Sequence, residues 1–189
     1  MPKARTVQLV VAEIAAQFPG TEERVSHGRP YFCVRGGKGF AMLAVNHHGD
    51  GRLALWLKAA PGAQEQLAVK GSRHYFVPAY VGPSGWLGVR LDRRLSWDVI
   101  AGHLRSAYEQ VAPAALRTRL ETLRSVEPPT VGLSVEELDP MRSPEAVRAV
   151  EAMREICLAL PDSSEGTQFG KPVWRVGKRV FAQCWRYDG

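Results

Sequence analysis

The most constraining feature of this chain is that it begins to repeat itself. A shift of 142 residues places Glu13 on Glu155, Ile14 on Ile156, Pro19 on Pro161, Glu23 on Glu165, Gly28 on Gly170, Pro30 on Pro172 and Val34 on Val176, seven identities across residues 10–34. The order of signals is kept as well: helical stripe, proline turn, Gly-basic-Pro triplet, aromatic-bearing strand. GRPYFCV answers GKPVWRV and, after one deleted residue, GFAML answers VFAQC. The second copy stops at Tyr187-Asp188-Gly189, where the first is only reaching its Asp50-Gly51 turn. A helix and one hairpin cannot bury both faces of a sheet. The second module is therefore expected to be a fragment of a longer chain or an appendage needing cover, and self-association through it is one expected outcome.

The period of the apolar residues sets the elements. Val7, Val10, Val11, Ile14 and Phe18 fall at helical spacing over residues 5–18, and Pro19-Gly20 stops the pattern. From Arg29 the period changes, and RPYFCVR, GFAMLAVN and RLALWLK read as strands joined by glycine-rich turns, with HYFVPAYV and WLGVRL supplying two more. Ser96 is an N-cap for a helix over residues 96–112 with the stripe Ile100, Leu104, Ala107, Tyr108 and Val111, and Leu116, Leu120 and Leu123 extend the helical region. The expected fold class is α+β: an antiparallel sheet of about five strands with two main helices on one face. The four prolines of residues 125–144 mark a linker between a complete module at 1–124 and a truncated one at 145–189. There Ser143-Pro144 starts a helix, and Val173–Val176 and Val180–Trp185 flank the Gly177-Lys178 turn of a hairpin.

Charge divides along the same boundary. Residues 1–124 carry 17 Lys/Arg against 9 Asp/Glu, a net +8, and residues 125–189 carry 8 against 10, a net −2. The first module is thus the one suited to an anionic partner. Cys33, Cys157 and Cys184 form no CxxC pair, which excludes a structural zinc site and suits a reducing compartment. No apolar run reaches the ~20 residues of a membrane span, and the N-terminus shows no signal-peptide pattern. A cytoplasmic location without membrane attachment is expected.

The run PGTEERVSHGRPYFCVRGGKGFAML, with LALWLK, FVPAYVGPSGWLGVRLD and WDVIAGHLRSAYEQVAP, resembles the MmcQ/YjbR family of small bacterial proteins. The resemblance covers residues 7–115 as a whole module and residues 147–189 as the first third of another. Its most specific pieces are Gly28-Arg29-Pro30, the glycine turn with Lys38, Pro78 with Tyr80, and the strand starting at Trp86. It implies a frataxin-like arrangement, with two helices on one face of an antiparallel sheet, and DNA binding with no assigned reaction.

Sites for chemistry are few. Gly36-Gly37-Lys38-Gly39 lacks the spacing of a phosphate-binding loop and sits between strands. His47-His48-Gly49-Asp50 has no matching metal ligand elsewhere, and residues 5–35 offer only Glu13, Glu22 and Glu23 as carboxylates for a hard cation. Ser26-His27 are adjacent, and no acid is identified to orient the imidazole. No catalytic residue, metal or cofactor is expected. Strand alternation instead sends one of Tyr31 and Phe32, and one of Tyr75 and Phe76, away from the helices. There, Arg29, Lys38, Lys58, Arg73, His74 and Arg90 are the candidate nucleic-acid-binding residues of a basic sheet face. The leading expectation is a non-enzymatic DNA-binding protein, and the alternative is a small-ligand or protein-interaction module on the same face.

Overall fold

The computed structural model describes residues 4–184. The chain divides into two compact units, the first comprising Met1–Ala44 and Leu53–Gly132, the second Val45–Arg52 and Leu133–Gly189.

In the first unit, α1 (Val7–Ala15) starts where the Thr6 side chain accepts a hydrogen bond from the Leu9 amide, satisfying one of the helix's orphan donors. Then follow β1 (Thr21–Ser26), β2 (Arg29–Val34), β3 (Gly39–Val45), β4 (Leu53–Lys58), the short α2 (Ala63–Leu67), β5 (Tyr75–Phe76), β6 (Trp86–Arg90) and α3 (Trp97–Glu109). Ser96 caps α3 through the Val99 amide, as its position predicts. The strands form one antiparallel sheet in the order β1-β2-β3-β4-β6-β5.

Both helices pack on the same face of this sheet. Val11, Ile14, Ile100, Leu104 and Tyr108 are all buried, as the stripes predict. The contact centres on three rings from three elements. Phe18, just past α1, stacks on Tyr108 of α3 at 5.1 Å, and both meet Phe40 of β3 edge-on at 6.0 and 5.6 Å. The Tyr108 hydroxyl donates to the Pro19 carbonyl at 2.7 Å, so the one polar atom of this cluster is satisfied.

The sheet has six strands where about five are expected. The missed strand is β1, whose sequence TEERVS carries no apolar alternation, and its one large apolar residue, Val25, is exposed. It is an edge strand fixed by backbone pairing to β2, through a two-residue turn in which His27 and Gly28 have φ of 52° and 71°. Such a turn matches the twist of paired strands. The expected strand HYFVPAYV is mostly loop. Only Tyr75–Phe76 pairs with β6, because Pro78 lacks a donor and Tyr80 has φ 64°. Beyond α3 the expected helical extension is a single turn, α4 (Ala114–Arg117).

In the second unit a short α5 (Val135–Leu138), with a Ser134/Glu137 capping box, lies within the proline-rich segment. Then come α6 (Pro144–Leu158), β7 (Ser163–Gln168), β8 (Lys171–Val176) and β9 (Arg179–Gln183), in a sheet of order β7-β8-β9. A helix with a two-stranded hairpin is expected, and the structure adds β7, missed for the same reason as β1. The bounds of β7 and β8 lie 142 residues after those of β1 and β2, and the register break between Phe32 and Cys33 recurs between Trp174 and Arg175. Arg154 of α6 donates to both carboxylate oxygens of Glu165 in β7, at 2.7 and 3.0 Å, which with its charge holds that carboxyl below the usual range. Val173 and Trp174 are buried, Val176, Val180 and Phe181 are exposed, and Trp185 lies outside the described residues.

Two outcomes follow for the first unit. Tyr108→Phe should cost about 1–2 kcal/mol, by leaving the Pro19 carbonyl without its donor, and Tyr108→Ala about 3–5 kcal/mol, by opening a cavity between the helices; urea unfolding reads both. The second concerns His103 of α3, whose Nε2 lies 2.9 Å from the Tyr75 hydroxyl. Burial pushes this imidazole below its ordinary value of 6.5, so the folded state holds it neutral and the unfolded state takes the proton first. Its contribution is therefore complete above pH 6.5 and lost as pH falls below it. The drop in Tm between neutral and mildly acidic pH should be shallower in His103→Gln than in the unaltered protein.

Candidate nucleic-acid interface

Alternation divides the side chains of the six-stranded sheet. Tyr75 turns to the helices and His103, whereas Phe76 turns to the opposite face. There it packs with Met42, Val81 and Trp86 around buried Ala44, Ala54 and Trp56. Phe32 is buried and Tyr31 is half-buried. Two glycines make this opposite face possible. A Cβ on Gly39 would lie 1.7 Å from the Tyr31 hydroxyl oxygen, and one on Gly88 would lie 2.4 Å from the ring of Phe76, its cross-strand partner. Each ring lies across a neighbouring strand where no side chain can stand.

Because Trp56 is buried, the centre of this face is a packed cluster and not the row of stacking groups expected. Tyr80, in the loop before β6, is well exposed. Its left-handed backbone is uncommon for a residue other than glycine, and such conformations concentrate at functional sites.

The six basic residues separate into two groups. Arg29 opens β2 opposite Ser26, and Arg90 closes β6 opposite Ala54. The Arg90 amide donates to the His74 carbonyl at 2.8 Å, which brings Arg73 and His74 to the same end. Lys38, in the β2–β3 turn, and Lys58, paired with Trp86, lie at the other end. Lys58 is also engaged within the fold, its Nζ donating to the Ser84 carbonyl.

At the arginine-rich end, Arg90 donates to both oxygens of Asp92, at 2.9 and 2.5 Å. Burial pulls the Asp92 carboxyl upward, but the hydrogen bond and charge of Arg90 together outweigh it and hold the group below the usual range. This pairing offsets much of the Arg90 charge. Arg73 is exposed, as are Arg93 and Arg94 in the bend after β6. Sequence reading missed the last two, although the doubled arginine of LDRRL was the available signal.

The other motifs resolve locally. Gly36 and Gly37 form the β2–β3 turn, closed by the Gly37 amide on the Val34 carbonyl at 2.7 Å. Ser26 Oγ does meet His27 Nδ1, at 3.1 Å, but at the tip of the β1–β2 hairpin with His27 exposed. Among the described residues no cluster of three His, Cys, Asp or Glu side chains could hold a metal, and no helix is long and apolar enough to cross a membrane. An open cavity of about 240 Å³ lies beside Lys58, lined also by Gln64, Glu65 and Gln110. Gln64 already donates to the Gly82 and Trp86 carbonyls at 2.9 and 2.6 Å, so its amide nitrogen is spent within the fold.

A six-stranded antiparallel sheet carrying two helices on one face defines an α+β module. The family model described as YjbR matches residues 16–110, from the end of α1 to the end of α3, and the chain belongs to the YjbR family. No curated protein matches the chain.

The glycine-over-ring packing gives a direct test. Gly88→Ala should displace the Phe76 ring and cost about 1–3 kcal/mol, as overpacking does. Combined with Phe76→Ala it should cost less than the two single changes added together; the urea midpoints of the three variants measure this.

Proposed function

We propose that the YjbR module is a non-enzymatic DNA-binding unit whose arginine-rich sheet end contacts phosphates, and that residues 144–184 are a second, partial copy of the module. The observation that carries the DNA reading is the local excess of cation over carboxylate. Arg29, Arg73, Arg93 and Arg94 stand with His74 at an end whose Asp92 already holds Arg90. Exposed Tyr80 adds a ring suited to stacking on an unpaired base. The copy reading rests on the shared offset of bounds and register break. The three free thiols of Cys33, Cys157 and Cys184 suit a reducing, cytoplasmic setting.

Phosphate contact fixes the form of the test. Fluorescence anisotropy on labelled duplex and single-stranded DNA should show affinity falling steeply between ~50 and 200 mM salt. Arg73→Ala should weaken all sequences about equally and reduce the salt slope by ~1. Asp92→Asn, which releases Arg90, should strengthen binding. No binding at low salt by the unaltered protein overturns the reading, and salt-insensitive binding to a protein or small ligand would favour the interaction-module alternative.

A further inference from the structure

We propose that the second unit holds a soft, monovalent transition-metal ion, Cu(I), among the sulfur atoms of Met141, Met153, Cys157 and Cys184. The proposal is independent of the DNA reading, and only its comparison of positions between the two units rests on residues 144–184 being a partial copy of the module.

These four are all the cysteines and methionines of residues 133–189, and all four belong to one side-chain cluster. Met153 and Cys157 lie one turn apart on α6, so they leave the same face of the helix. Cys157 is buried there with Val150 and Trp174, and Met141, from the turn before α6, packs against the same group. Cys184 follows β9. Its amide donates to the Pro172 carbonyl at 3.1 Å, which carries the β8–β9 pairing one step further. Standing two residues past Ala182, it turns to the same side of the sheet and packs on the same cluster. Burial raises the Cys184 thiol above its ordinary value and the Cys157 thiol raises it further, so the two sulfurs stand within electrostatic reach of each other. Both thiols are free.

Packing alone does not call for sulfur at these places. Shifted back by 142 residues, Met153 and Cys157 become Val11 and Ala15, and across the one-residue deletion Cys184 becomes Leu43. In the first unit these positions are 0%, 1% and 5% exposed, and hydrocarbon fills them. The sulfurs of the first unit do not recur either, since Cys33 becomes Arg175 and Met42 becomes Gln183. Sulfur is therefore placed afresh in the second unit, at the contact of its helix with its sheet. The donor set then selects the metal. Thiolate and thioether are soft ligands and suit Cu(I). Zinc takes Cys, His or carboxylate ligands, and an iron–sulfur cluster needs four thiolates where two are present. Methionine sulfur is what reading the cysteines for pairs and for zinc leaves out. On binding, each thiol that becomes a ligand releases its proton to solvent, and no electron is transferred.

Titration of the reduced full chain with Cu(I), in competition with the cuprous chelator bicinchoninate, should give one ion bound per chain, and Zn(II) should not displace it. Cys184→Ser should abolish binding. Met153→Leu conserves side-chain volume and should leave the circular dichroism spectrum unchanged, yet weaken Cu(I) by at least the ~10–100-fold that loss of a group supporting a ligand costs. Cys33→Ala, in the first unit, should bind as the unaltered protein does. X-ray absorption at the copper edge supplies a readout without substitution: the ion should have sulfur neighbours only. Absence of binding against the chelator, binding unchanged in Met153→Leu or Cys184→Ser, or nitrogen or oxygen ligands in the absorption spectrum overturns the proposal and leaves the cluster a sulfur-rich core. DNA binding is measured in the same preparations without copper, so failure of one reading leaves the other standing.

Discussion

The first unit depends on the closure of its helical face by Phe18, Phe40 and Tyr108. These rings come from residues separated along the chain, and no local segment of helix or hairpin can assemble them. Stacked and edge-on arrangements of this kind contribute about 0.5–1.5 kcal/mol per pair beyond the area they bury. The hydrogen bond from Tyr108 to Pro19 fixes the angle at which the chain leaves α1 and enters β1. The helix face thereby sets the position of the edge hairpin, and through it the place of Arg29 at the end of the sheet.

The two faces of that sheet solve the same problem in different ways. The helix face is covered by separate elements, whereas the opposite face covers itself, with Tyr31 and Phe76 lying over the places where Gly39 and Gly88 leave no side chain. Sealing Trp56 beneath this layer moves polar chemistry to the ends of the strands. The arginines are accordingly found where strands begin and end, in positions that turn residues and strand termini can hold without burying charge.

How much of this could be read in advance depended on whether the signal was periodic. The stripes of α1 and α3, the Ser96 cap and the inward positions of Ile14, Ile100 and Leu104 were legible because burial imposes a 3.6-residue period. β1 and β7 were not, since an edge strand exposed on both sides imposes no apolar pattern and its register is set by a turn and by backbone pairing. HYFVPAYV misled for the converse reason, its apolar composition serving a loop that packs through Val81. The basic residues could be named from the sequence, but not sorted into the two groups that the sheet makes of them. Which end of a strand a residue occupies depends on strand order, and no spacing reveals that β6 inserts between β4 and β5. Arg93 and Arg94 escaped notice because they follow the last strand and belong to no period.

The insertion of β6 has a kinetic consequence. β1, β2 and β3 meet through short turns and can pair as soon as each is made. β4 finds its second partner only after the chain has travelled through α2, β5 and the loop bearing Tyr80, since Lys58 must meet Trp86 across the intervening residues. Closing a loop of that length costs entropy before any contact repays it. The β4–β6 pairing is thus the long-range step of this sheet, and until it forms the apolar surface around Trp56 is open to the wrong partner. The charged sequence of β1, which guards the opposite edge in the finished fold, gives no protection at that stage, and the hazard lies at β4, the strand that ends as the best buried.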